Sequence, residues 1–160
     1  MDRVAIALGS NLGDRRAHLD FAVSRLAAAI PDLSVSRYLE TDPVGVTGEQ
    51  PRFLNAAAVG TTSASAPDLL EMLLAIERDR GRERPFQNAP RTLDLDLILL
   101  GNVVMNTPRL VLPHPRFRDR QFVLEPLAEV APGLVDPVTG STVAELLRRV
   151  LRPREAPPTT

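Results

Sequence analysis

The sequence predicts an α+β domain with a strand, helix, strand, strand, helix, strand core. Three observations carry that expectation: strand-type and helix-type apolar patterns alternate in this order, no segment repeats, and 160 residues suffice for one hydrophobic core. Val4 to Leu8 is a short apolar run ending at Gly9, as in a buried strand. From Asp14 onward Leu19, Val23, Leu26 and Ile30 recur at helical spacing, and Pro31 ends the pattern. Leu33 to Glu40 and Leu54 to Thr62 read as two strands, separated by a loop containing Pro43, Gly45, Gly48 and Pro51. Ser65 followed by Asp68 opens a second helix in capping-box fashion; its apolar face is Leu69, Met72, Leu73 and Ile76, and Gly81 is its expected stop. Residues 82–91, rich in arginine and punctuated by Pro85 and Pro90, read as a long mobile loop, and Leu93 to Leu100 as a fourth strand. This order is the split βαβ pattern of ferredoxin-like domains, an antiparallel sheet with helices on one face.

Beyond Gly101 the expected elements are a hairpin (Val103 to Met105 with Leu110 to Leu112) and helices near Pro126 to Val130 and Val143 to Leu151. Thr142 and Glu145 form a capping box for the last helix. The stretch 152–160, with three prolines, reads as a flexible tail, so 1–151 is expected to be a single domain.

All 19 basic side chains are arginine; lysine and cysteine are absent. That excludes Schiff-base chemistry, P-loop and protein-kinase lysines, thiol catalysis, disulfides and thiolate metal sites. A formal charge of −1 lacks the broad basic face of a nonspecific nucleic-acid or anionic-membrane binder, so neither partner is expected. No apolar run approaches the roughly 20 residues of a membrane span, and Met1 leads into a strand-like segment without signal-peptide anatomy. A cytoplasmic monomer is expected. Two basic islands stand out: Arg78, Arg80, Arg82, Arg84 and Arg91, then Arg109, Arg116, Arg118 and Arg120.

The sharpest chemical feature is Arg91-Thr-Leu-Asp-Leu-Asp96. Strand alternation puts Asp94 and Asp96 on one face with Cα atoms roughly 6.5 Å apart. Two carboxylates so close suit magnesium, which takes one or two carboxylates plus substrate phosphates, although a merely solvated strand face has the same pattern. Carboxylates for a metal with arginines for oxygens are the parts of a phosphoryl-transfer site. For Arg78, Arg80, Arg116 and Arg118 the surface reading is the better one. Phe53 and Asn55 share a strand face, and Phe122 follows the second basic island; a flat heterocycle could stack between the rings while the amide reads its edge, or both rings could belong to the core. His114, between Pro113 and Pro115, is a candidate phosphate ligand or donor, whereas His18 is expected on an exposed helix face. Gly9-Ser-Asn-Leu-Gly-Asp14 fits neither a Walker loop nor a Rossmann fingerprint. It is closer to a nucleotidyltransferase Gly-Ser loop.

Together, Gly-Ser-Asn-Leu at 9–12, Asp-Pro-Val-Gly at 42–45, Phe-Leu-Asn-Ala at 53–56, Pro-Arg-Thr-Leu-Asp-Leu-Asp at 90–96 and Leu-Pro-His-Pro at 112–115 closely resemble the hydroxymethyl-dihydropterin pyrophosphokinase family. The resemblance implies magnesium-dependent transfer of pyrophosphate from ATP to a pterin alcohol, releasing AMP, in folate biosynthesis. It implies that Asp94 and Asp96 hold two magnesium ions and that Phe53 and Phe122 sandwich the pterin. Thr41, Asn55 and the backbone near Asp42 and Val44 would read the pterin edge. Arg82 and Arg91 would hold the triphosphate, with Arg109, His114 and Arg120 as further ATP contacts and the Ile98 backbone near the adenine. Glu77 also matches a family position, though a place on the helix surface explains it adequately. The chain departs from the family at Asn88-Ala89, Val111 and Pro115, which bears on nucleotide affinity and loop closure. The alternatives are a nucleotidyltransferase that releases pyrophosphate and a non-catalytic ferredoxin-like ligand-binding module.

Overall fold

The computed structural model describes residues 1–41, 52–80 and 92–152. Strand β1 (Asp2–Ser10) runs at the centre of an antiparallel sheet, between β4 (Phe53–Thr62) and β5 (Asp94–Leu100). The far edge of β4 carries two short strands, β2 (Ser34–Val35) and β3 (Leu39–Thr41). Helix α1 (Arg15–Ala29) links β1 to this edge, and α2 (Ala66–Asp79) links β4 to β5. The strand order β2-β4-β1-β5 is the ferredoxin-like arrangement.

The expected strand over Leu33–Glu40 is broken in two. Between its halves the Ser36 hydroxyl accepts the Ala57 N–H at 2.9 Å, and the Arg37 amide leaves the ladder for Glu129 at 3.0 Å. Side chains at this edge take over bonds that a continuous strand would make. Helices α1 and α2 are capped at their starts: Asp14 accepts from Ala17 N at 3.1 Å and Ser65 from Asp68 N at 3.2 Å.

Alternation sorts the sheet into two faces. Val4, Ile6 and Leu8 of β1, Leu54 and Ala56 of β4, and Leu95 and Leu97 of β5 pack under α1 and α2. The opposite face carries Ala5, Ala57 and Val59, and it is covered too. Helices α3 (Gln121–Val130) and α4 (Val143–Leu151) pack there through Val123, Leu124, Leu127 and Leu146. The domain therefore has helices on both sides of the sheet, and small alanines let α3 approach its centre.

The register of β1 against β5 pairs Ile6 with Leu97 and then Ala5 with Leu99, so Ile98 is the extra residue of a β-bulge. Ile98 and Leu99 consequently both belong to the α3 side. The hairpin is shorter than expected, with β6 (Met105–Asn106) pairing β7 (Val111–Leu112). Helix α3 begins well before Pro126, which lies inside it. Pro126 lacks the N–H that would reach the Phe122 carbonyl, yet the apolar face of α3 is buried and holds the helix together. Thr142 and Glu145 form the expected reciprocal capping box. The expected loops at 42–51 and 81–91, the Gly81 stop and the tail from 153 lie outside the described residues.

Candidate active site

On the α3 side of the sheet, beyond the end of the helical cover, is a cavity of about 650 Å³. Its floor follows from strand register. Gly9 lies opposite Asn55 on one side and Asp94 on the other, and Ala7 lies likewise between Ala57 and Asp96. Adjacent strands are about 4.8 Å apart, so the amide and the first carboxylate flank Gly9 across roughly 10 Å. Phe53 and Thr41 extend this floor, and Phe122 and Arg120 enter from the start of α3.

A Cβ at Gly9 would come within 3.1 Å of Asn55 Oδ1, so the amide would have to shift slightly to admit a side chain there. Asn55 is 6% exposed, and its Nδ2 donates to the Thr41 hydroxyl, which fixes the amide with its acceptor oxygen toward Gly9. Phe53 and Phe122 are half-buried and line the cavity, so neither is a closed core residue. Arg120 precedes α3 and places its guanidinium 5.5 Å from the Phe122 ring centroid, within cation–π range.

Asp94 and Asp96 project into this cavity from adjacent upward-facing positions of β5, with Arg116, Asp119 and Gln121 along the same wall. His114 stands beside them. Its backbone N–H donates to the Ile98 carbonyl at 2.9 Å, and its Nδ1 accepts the Arg116 N–H at 3.2 Å. An accepting Nδ1 leaves the proton on Nε2, so the ring is a neutral donor. Burial first, and then the Arg120 charge, lower its pKa; Asp94 opposes them.

Other expected residues are placed differently. The Arg109 guanidinium is bound to Glu71 on the surface of α2, outside the cavity lining. The Ile98 side chain is buried in the α3 side of the core, and its carbonyl is taken by His114. Arg82, Arg91, Asp42 and Val44 lie outside the described residues.

Several surface expectations are overturned. Glu77 is 8% exposed, and its carboxylate accepts the Leu95 N–H at 2.8 Å. The unbroken helical spacing of Leu69, Leu73 and Ile76 hid this, since Glu77 follows directly on the apolar face. His18 is half-buried and accepts from Arg80 Nε at 2.8 Å, while Arg80 also covers the Phe21 ring. Arg118 donates twice to Asp136, which is fully buried. Arg116 is exposed as expected but borders the cavity. The sequence signals for these pairings are weak because each partner lies far along the chain.

The residues fit magnesium by their donor chemistry. Two carboxylates face a roomy cavity that leaves space for phosphate oxygens. That is the ligand balance magnesium prefers.

Fold and cavity together define a ferredoxin-like α+β domain with a carboxylate pair, an amide and two aromatic rings gathered over the centre of its sheet. The chain belongs to the 7,8-dihydro-6-hydroxymethylpterin-pyrophosphokinase (HPPK) family, whose model matches residues 5–132. It is 46% identical over 133 residues to the 2-amino-4-hydroxy-6-hydroxymethyldihydropteridine pyrophosphokinase of Bacillus subtilis (strain 168), covering 81% of this chain and 79% of that protein. The enzyme of the same name from Pseudomonas aeruginosa is 41% identical over 150 residues, covering 92% and 91% of the two chains. Among solved structures, wild-type HPPK-DHPS of Plasmodium falciparum superposes with a TM-score of 0.74 at 13% identity, over 92% of this chain and 44% of that longer one. No helix among the described residues is long and apolar enough to cross a membrane.

Proposed function

We propose that this protein transfers pyrophosphate from ATP to the hydroxymethyl group of 6-hydroxymethyl-7,8-dihydropterin, giving the pterin diphosphate and AMP in folate biosynthesis. The observation that carries the reading is the floor row Asn55, Gly9, Asp94: a heterocycle-reading amide and a cation-binding carboxylate face one cavity across a residue with no side chain.

In this reading Phe53 and Phe122 stack on the two faces of the pterin, while Asn55, Thr41 and the backbone at Asp42 and Val44 read its edge. Asp94 and Asp96 would hold two magnesium ions, which would neutralise phosphate charge and polarise the phosphoryl oxygens. Arg82 and Arg91 grip the triphosphate. His114 donates from Nε2 and Arg120 from its guanidinium to the same phosphates, and Arg109 and the Ile98 backbone contact the nucleotide. Arg109 must leave Glu71 to do so. The pterin hydroxyl oxygen gives up its proton to solvent and forms a bond to the β-phosphorus, the bond from that phosphorus to the α,β-bridging oxygen breaks, and AMP departs with the electron pair. No covalent enzyme intermediate is needed, and alignment of the hydroxyl with the β-phosphorus is the main contribution of the floor. The domain acting here is 1–151, as a cytoplasmic monomer.

Incubation with ATP, magnesium and the pterin alcohol tests the reading. AMP and pterin diphosphate should appear in equal amounts. Released inorganic pyrophosphate would identify a nucleotidyltransferase, and no turnover with any pterin alcohol would leave only a binding module.

A further inference from the structure

We propose that Glu77 is a positioning residue for the Asp94/Asp96 pair, acting through the Leu95 peptide; the inference rests on the magnesium-dependent reading above. Among the described residues, strand β5 is the edge of the main sheet, paired on one side, with β1. Alternate amides of an edge strand point away from their ladder and need another acceptor. For Leu95 that acceptor is a carboxylate oxygen of Glu77, 2.8 Å away and buried. Glu77 is itself held by α2, whose Leu69, Leu73 and Ile76 are packed into the core beneath the sheet. Leu95 is the single residue between the two aspartates, and each neighbouring Cα is about 3.8 Å away, so a shift of its peptide moves both carboxylates. The contact therefore ties the metal-facing edge of the sheet to the rigid helical layer on its other side. Groups that orient metal ligands in this way typically change metal affinity or activity about 10- to 100-fold when removed.

Two substitutions separate hydrogen-bond reach from charge. Glu77→Gln is neutral but keeps an acceptor oxygen at the same length. Glu77→Asp keeps the charge but withdraws the oxygen by one methylene, about 1.5 Å. The probes are Mn²⁺ binding in the presence of a non-hydrolysable ATP analogue, read by electron paramagnetic resonance, and amide exchange at Leu95 in the metal-free protein. Glu77→Gln should retain Mn²⁺ affinity within about threefold and keep the Leu95 amide protected. Glu77→Asp should weaken Mn²⁺ at least about tenfold and expose that amide, with pterin affinity nearly unchanged because Phe53 and Asn55 lie on β4. Equal Mn²⁺ affinity in Glu77→Asp and wild type would overturn the proposal, as would Glu77→Gln behaving like Glu77→Asp. A wild-type protein that binds no Mn²⁺ with the analogue would instead overturn the underlying metal reading, and the exchange experiment keeps the two failures apart.

Discussion

Replacing Arg118 by methionine should cost the fold far more than an ordinary arginine substitution. Asp136 is fully buried, and its two carboxylate oxygens accept from Arg118 at 2.5 and 3.0 Å, from the Thr139 hydroxyl at 2.7 Å and from the Val138 N–H at 3.0 Å. Burial alone would raise the carboxyl pKa; the Arg118 bonds first, then Thr139 and the Val138 amide, outweigh it and hold it down to about 2. Removing the guanidinium leaves a buried carboxylate with half its partners, a change that costs about 3 kcal/mol. For a domain of this size that corresponds to a fall of roughly 6–12 °C in Tm. The sign of the pH dependence follows from the depressed pKa. The wild-type pair contributes fully above the ordinary carboxyl range, near 3.8, and its contribution is lost as pH falls toward about 2. Arg118→Met should therefore flatten the acid limb of the stability curve. Asp136→Asn in the same background should recover part of the loss, because the uncompensated charge is gone. Urea unfolding of the single and double variants between about pH 2 and 7 measures all of this. A loss under about 1 kcal/mol, or strict additivity of the two changes, would refute the reasoning. The pair also matters to the cavity, since Arg118 lies in the short turn Phe117–Asp119 that leads directly into Arg120 and Phe122.

Other expectations are simpler. Gly9→Ala should weaken pterin binding at least about tenfold, measured by fluorescence titration, while changing Tm little, because the new methyl meets Asn55 Oδ1 at the cavity floor and not the core; unchanged affinity would contradict the floor geometry. Ser10→Ala should stabilise the protein by about 1 kcal/mol in thermal unfolding, since the Ser10 hydroxyl is buried without a hydrogen-bond partner among the described residues; a loss of stability would show that the hydroxyl is satisfied. Both histidines have lowered pKa values, each through burial first and a nearby arginine second. The unfolded chain thus binds protons that the folded one resists, and stability should fall as pH drops below 6.5. Replacing both with asparagine should remove that slope.

The core was legible where one residue pattern served one purpose. The apolar runs of β1, β4 and β5 and the capped starts of α2 and α4 read directly from spacing, and the topology followed from their order. The site was legible where alternation applied, which puts Phe53 with Asn55 and Asp94 with Asp96 on shared faces. Register across strands was not readable, so the juxtaposition of Asn55 and Asp94 around Gly9 emerges only from the sheet. Long-range polar pairs were likewise hidden. Glu77 looked like helix surface because its acceptor role depends on the open edge of β5, and Arg118 looked solvated because Asp136 belongs to a separate turn. Helix α3 was mistimed because Pro126 suggested a start, whereas burial of the residues around it carries the helix through.

The central claim is that one cavity aligns a pterin over Phe53 and Asn55 with phosphates held from Asp94 and Asp96. Single-turnover kinetics of Asp94→Ala and Asp96→Ala, with pterin binding measured in parallel by fluorescence, tests it most directly. The account predicts that magnesium-dependent formation of AMP falls by at least about 100-fold while pterin affinity stays within a few-fold of wild type. Full magnesium-dependent turnover in either variant would contradict it.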